Sequence, residues 1–222
     1  MDKNRIRWII AAGATAVLAV IAGLVLTTGS TASQRSTARV NTDACPATAQ
    51  SSTIPATPPS DLQWKNISAF LVPTSATYGP LRASGTVWQC YPHDPMGAVI
   101  AAYDIDAGLG SPQWNAWAGQ DTMPGQGRQA FITASQSQAY QPAAPGEIAQ
   151  AVGFEVTAYT PQQATIETLA DGGENYFANE FTVAWYGGDW KMVLTPDGST
   201  GPTPQFVTST DGFTLWGDAG NG

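Results

Sequence analysis

The sequence predicts an α+β domain in which helices pack on one face of a curved antiparallel sheet, and three observations lead there. Helical periodicity follows the pair Asp94-Pro95, the hydrophobic period drops to two from Phe154 onward, and Gly187-Gly188-Asp189 separates two alternating runs as a tight hairpin would. Helices first and a meander afterwards, within about 160 residues, fit that layer architecture.

Each element has a local reason. Asp94 reads as an N-cap and Pro95 as the first helical residue, after which Met96, Val99, Ile100 and Tyr103 recur at i, i+3, i+4 and i+7. A helix from about Pro95 to Ala107 follows, stopped by Gly108. Tyr103 falls on its apolar stripe and Asp104 off it. Ser111-Pro112 repeats the cap signature before a short turn carrying Trp114 and Trp117, and a third helix is expected from about Gly127 to Ala139 through Phe131 and Ile132. Helices are therefore expected to dominate the first half. In the second half Phe154, Val156 and Ala158 alternate with Glu155, Thr157 and Tyr159, and Phe181, Val183 and Trp185 alternate with Thr182, Ala184 and Tyr186. Trp190, Met192 and Leu194 form another alternating set, and Pro161-Gln162-Gln163 turns the first strand into a further one over Ala164 to Leu169. An NTF2-like or cystatin-like cone accommodates this order. The Gly-, Thr- and Pro-rich stretch from Asp197 to Gly222 reads as an extended tail whose Phe213 and Trp216 dock on the sheet.

Upstream of the domain the composition changes twice. Trp8 to Leu26 is a run of nineteen residues without a charge, and at 1.5 Å per residue it spans about 28 Å, the thickness of a bilayer's hydrocarbon core. It reads as a transmembrane helix. Lys3, Arg5 and Arg7 precede it, so residues 1–7 are expected in the cytoplasm and everything after residue 26 outside, in a single-pass cell-membrane protein. A cleaved signal peptide ending at Ser30-Thr31-Ala32 is the competing reading. Residues 27–60 hold eight Thr, six Ser, six Ala and four Pro, too few apolar side chains for a core, and read as a disordered extracytoplasmic stalk leading to the domain at residues 61–222. Cys45 and Cys90 are the two cysteines, and in an oxidising compartment they are expected to pair and pin the distal stalk to the domain.

Charge excludes some functions. Residues 61–222 carry four bases against fifteen acids, a net charge of −11, so direct nucleic-acid binding is not expected and an anionic lipid surface would repel the domain. Metal-ligand spacing is missing, with one His and no neighbouring ligand to either Cys, so neither metal nor cofactor is expected. The stretch Asp104-Ile105-Asp106-Ala107-Gly108 begins like a calcium loop but puts Leu109 and Asn115 where Gly and Glu belong. Gly125-Gln126-Gly127-Arg128-Gln129-Ala130 has the letters of a dinucleotide fingerprint but no strand signal before it. No nucleophile elbow or phosphate loop occurs. The constellation to weigh as a catalytic site is His93 and Asp94 with Tyr103 and Asp104, since cone folds place acid–base groups between helix and sheet. Capping accounts for Asp94 and a turn hydrogen bond for His93, so no catalytic residue is assigned and the chain is not expected to be an enzyme. Seven tryptophans, Trp64, Trp88, Trp114, Trp117, Trp185, Trp190 and Trp216, are enough for a core and an exposed aromatic face besides.

Four stretches carry a resemblance: PTSATYGPLR (Pro73 to Arg82), HDPMGA (His93 to Ala98), GDWKMVL (Gly188 to Leu194) and GFTLW (Gly212 to Trp216). Over about residues 64–217 the chain resembles an uncharacterised family of actinobacterial single-pass membrane-anchored proteins associated with conjugation modules. That family is similar in plan to the NTF2-like bitopic scaffold subunits of type IV secretion systems. The resemblance implies a scaffold or protein-interaction domain with protein partners or further copies of itself, within a conjugative transfer or secretion assembly, and carries over no catalytic residue. The alternative is an extracytoplasmic small-molecule-binding protein or small enzyme, with His93 and Asp94 at the mouth of the cone pocket.

Overall fold

The computed structural model describes residues 44–48, 50–83, 85–138, 140, 148–173 and 175–217. The expected transmembrane helix at residues 8–26, residues 1–7 and residues 27–43 of the stalk lie outside them. Among the described residues no helix is long and apolar enough to cross a membrane.

The domain is α+β, with three helices and antiparallel sheets, as the sequence predicts. A two-stranded hairpin comes first, β1 (Leu62–Ile67) and β2 (Phe70–Ser75), then α1 (Pro95–Leu109), α2 (Trp114–Asp121) and α3 (Gln126–Gln136). The larger sheet follows, built of β3 (Gln150–Thr160), β4 (Gln163–Asp171), β5 (Tyr176–Tyr186), β6 (Asp189–Met192), β7 (Gln205–Val207) and β8 (Thr214–Leu215). Its order is β6-β5-β4-β3-β8, and β7 joins β5 beyond the end of β6, pairing Tyr176 to Ala178 while β6 pairs Val183 to Tyr186. Register shifts between Ala151 and Gly153 and between Val156 and Ala158 mark bulges in β3. Bulges of this kind bend a strand and increase its twist.

The hairpin β1–β2 is an addition to the first half, where the sequence predicts that helices dominate. Its turn, Ser68-Ala69, lacks the usual Asn-Gly or Gly signal, and Ser68 itself takes the left-handed conformation at φ 56°. Pro73 is tolerated inside β2 because each strand of a two-stranded sheet has a free edge.

α1 is buried almost all round, which corrects the single-stripe reading. Thirteen of its fifteen residues are buried, Asp104 among them, because the helix packs against the large sheet and against the hairpin and α2 as well. Its Ala98, Val99, Ile100 and Ile105 share one core with Phe154, Ile166, Val183 and Trp190 of the sheet and Ile67 and Val72 of the hairpin. Fully burying a side chain of this size contributes about 1.5–3 kcal/mol. Gly108 does not stop the helix as expected. It lies inside the last turn, and a Cβ there would fall 2.0 Å from the Trp117 ring, so glycine is what lets α2 approach α1. The tail docks through Trp216, which is buried against Phe154, Tyr103 and Trp64, whereas Phe213 stays half-buried beside the β8 pairing.

Candidate functional site

The His93-Asp94-Pro95 corner is where the sequence places its acid–base candidates. Asp94 has extended backbone, and its Oδ1 accepts the Gly97 N–H at 2.7 Å, so the carboxylate caps α1. Burial pushes its pKa up, and the backbone N–H groups of Gly97 and Met96 oppose that shift. His93 lies flat on Trp185, with ring centroids 3.9 Å apart and planes 7° from parallel, and meets the edge of Trp190 at 5.6 Å. Trp190 Nε1 in turn donates to the Pro92 carbonyl at 2.9 Å. Both imidazole nitrogens have partners, Gln50 Nε2 at 3.2 Å from Nδ1 and the Pro161 carbonyl at Nε2. A neutral ring that donates from Nε2 and accepts at Nδ1 satisfies both. The ring thus ties the upstream segment to the β3–β4 turn, leaving no free lone pair for a substrate proton.

Tyr103 and Asp104 do not join that corner. The Tyr103 hydroxyl donates to the Gly153 carbonyl, and its ring lies against Trp216. Asp104 accepts from the Tyr91 hydroxyl at 3.0 Å in a buried polar network that sequence reasoning missed. In that network Asp189 accepts three backbone N–H groups, those of Cys90 and Tyr91 at 2.9 Å and its own neighbour Trp190 at 3.0 Å. Lys191 Nζ lies 2.6 Å from Asp121 Oδ1 and 3.5 Å from Asp189 Oδ2. Burial raises Asp121 to about 6 even though Lys191 pulls the other way, and it raises Asp104 further above the carboxylate range. Alternation on β6 would put Lys191 in solvent. Instead every residue of β6 is buried, because α2 and the Thr122–Met192 bridge cover its second face.

The cysteines do pair. A disulfide joins Cys45 to Cys90, whose Cα atoms are 5.2 Å apart. Residues 44–48 and 50–60 form no helix or strand and run along the domain, where Ala44 accepts from Arg82 at 3.3 Å and Ser51 from the Tyr159 hydroxyl at 3.5 Å. Between this segment and the N-terminus of α1 lies a groove of about 460 Å³, lined by Ser51, Pro58, Asp61, Tyr78, Asp94 and Met96 among others. Its Asp61 carboxylate is committed to the Ser75 hydroxyl at 2.6 Å and to the Thr77 N–H and hydroxyl at 2.9 and 2.8 Å. Burial pushes Asp61 up, but those hydrogen bonds together outweigh it and hold the carboxyl below its usual range.

On the sheet, Glu155 pairs with Glu167 and Glu167 with Glu180, so three carboxylates stand in a row across β3, β4 and β5. Burial and its two like-charged neighbours raise Glu167. Of the seven tryptophans, Trp117, Trp190 and Trp216 are buried and Trp64, Trp88 and Trp185 pack half-buried against the core. The exposed aromatics are instead Phe206, Tyr186 and Tyr140. Among the described residues no group of three or more His, Cys, Asp or Glu is arranged to hold a metal ion. No curated protein and no solved structure matches the chain. A family model described as Domain of unknown function (DUF8175) matches residues 27–215, and the chain belongs to that family.

Proposed function

We propose that the protein is a membrane-anchored extracytoplasmic scaffold whose NTF2-like outer domain binds other proteins or further copies of itself, within a conjugative transfer or type IV secretion assembly. The observation that carries this reading is how the chemically capable groups of the domain are engaged. His93, Asp94, Asp104, Asp121, Asp189 and Lys191 are all tied to protein partners, which leaves recognition to the surface. The disulfide supports it further, since it fixes where the chain from the proposed anchor enters the domain. Such a protein acts by position, and any DNA is handled by its partners, given the net charge of −11 over residues 61–222.

Crosslinking in native membranes, followed by mass spectrometry of the intact chain and what accompanies it, tests the proposal. Recovery of the full-length chain with itself or with other membrane components supports it. A lone chain beginning near Ser33 in the medium sinks it. The groove of about 460 Å³ beside the N-terminus of α1 favours a second reading, an extracytoplasmic small-molecule-binding protein. Replacing both His93 and Asp94 without loss of function would remove the enzymatic form of that reading.

A further inference from the structure

A second cavity, of about 250 Å³, opens on the far end of the hairpin and is lined by Asn66, Ser68, Thr86, Trp88, Gln113 and Trp117 among others. Three separately anchored segments supply these residues. Asn66 and Ser68 sit at the β1–β2 turn, where Ser68 holds φ 56°. Thr86 and Trp88 lie on a loop closed by the reciprocal backbone pair of Arg82 and Gln89, at 3.0 and 2.9 Å. Gln113 immediately precedes α2, whose buried Trp117 packs on Gly108. The backbone of each wall is therefore held in place before any ligand arrives, which lowers the ordering cost of binding.

The chemistry of the lining is uniform. The lining residues include two carboxamides and two hydroxyls, and among the described residues none of these four side chains hydrogen-bonds another protein group. Of the two indoles at the cavity, Trp88 is half-buried and supplies the accessible apolar wall, and Trp117 is buried behind it. No charged side chain lines the cavity. At Gly85, which also lines it, φ is 105° and the space a Cβ would take is empty. Neutral donors and acceptors beside an aromatic face match a ring that carries hydroxyls on its edge and C–H groups on its face. The volume is below the ~300–1,000 Å³ of drug-sized sites, which suits a single ring. The net charge of −11 over residues 61–222 disfavours anionic ligands.

We propose that this cavity is a subsite for one neutral pyranose ring, held through the amides of Asn66 and Gln113 with Trp88 as its apolar wall. The source of the ring is either a free sugar or a residue of a glycan. This inference is independent of the scaffold reading, because it rests on different residues and is measured without partners.

Saturation-transfer NMR on the full-length chain, purified without glycoside detergents, reads the contact from the sugar's side. The probes are glucose, N-acetylglucosamine and their β-1,4-linked oligomers, with glucuronate as the anionic counterpart. Transfer to the neutral rings is expected, and Gln113→Ala should weaken binding roughly tenfold, the scale of one lost hydrogen bond left unreplaced. Trp88→Ala should abolish transfer and Trp88→Phe retain part of it. Gln113 is exposed, so its variant keeps the fold, with circular dichroism as the check. Stronger transfer to the oligomers identifies a glycan and equal transfer a free sugar, and either supports the subsite. Absence of transfer to every neutral probe, equal transfer to glucuronate, or transfer unchanged in both the Gln113 and Trp88 variants overturns it.

Discussion

Lys191 and Asp121 form an ion pair inside the domain, with Nζ 2.6 Å from Oδ1 and the two side chains 10% and 0% exposed. The same ammonium stands 3.5 Å from Asp189, so one cation serves two carboxylates, and Asp121 Oδ2 has no hydrogen-bond partner. Removing one member of such a pair strands the other charge. Lys191→Ala is expected to cost about 3–5 kcal/mol in denaturant unfolding, whereas Lys191→Met combined with Asp121→Leu should recover most of that loss. Single and double variants that simply add would show that the two side chains do not interact.

The same cluster gives the fold a pH dependence of definite sign. Burial pushes Asp121 up to about 6 in the folded domain, against about 3.9 for a free aspartate. Its stabilising contribution is complete below pH ~4 and lost as pH rises through ~6, a swing of roughly 3 kcal/mol at 1.36 kcal/mol per unit. Buried Asp104, raised by the loss of solvation, acts in the same direction. The melting temperature should therefore rise on going from pH 7 to pH 5, and Asp121→Asn should flatten that rise. A melting temperature that falls over this interval would exclude the linkage.

Gly108 predicts a steric effect. A Cβ at this position would lie 2.0 Å from the Trp117 ring, which cannot yield because Trp117 is 1% exposed. Alanine usually improves a helix interior, by roughly 0.5–1 kcal/mol over glycine. Here overpacking should dominate, with Gly108→Ala destabilising by about 1–3 kcal/mol. Restoration by the pair Gly108→Ala with Trp117→Leu would locate the clash, and a stabilised single variant would refute it.

Strand and helix identities were legible in this sequence wherever one face is apolar and one is wet. The alternation in β5 and the Asp94-Pro95 start of α1 both appear as the periodicity and the cap predict, whereas in β3 the bulge between Val156 and Ala158 leaves Ala158 exposed and turns Tyr159 onto the core. What could not be read was burial on a second face. Lys191 and Asp104 occupy positions that two-fold or helical periodicity assigns to solvent, and both are covered by elements that pack from the other side. The hairpin β1–β2 escaped because its turn places a serine, not a glycine, at positive φ. For His93 the sequence suggested a turn hydrogen bond, and the structure adds a stacking partner, Trp185, ninety-two positions away, which no local pattern encodes.

The row Glu155–Glu167–Glu180 sets like charges directly opposite one another on neighbouring strands, an arrangement that lowers stability. Glu167 is the member with a neighbour on each side. Glu167→Lys turns two repulsions into two attractions and should stabilise the domain by about 0.5–1 kcal/mol at low salt, shrinking as salt is added. Glu167→Gln should give part of the gain. A destabilised lysine variant would mean that the three carboxylates are not neighbours in solution.

The Cys45–Cys90 disulfide closes a loop of sequence separation 45, and in the chain-entropy model that constraint contributes about 4 kcal/mol by restricting the unfolded chain. Its local effect differs from its global one. Residues 44–48 and 50–60 have no backbone ladder to hold them, and their ties run to His93 through the Gln50 side chain and to Tyr159 and Arg82 through the Ser51 and Ala44 carbonyls. Replacing both cysteines by alanine should thus have two separable consequences. Denaturant stability falls by up to about 4 kcal/mol, and under fully native conditions a protease cuts within residues 46–60 well before the domain unfolds, because the segment is left with a few exposed hydrogen bonds. A variant that loses stability while the segment stays as resistant as wild type would show that the His93 stack and its partners suffice to hold it, and that the disulfide acts through the unfolded chain alone.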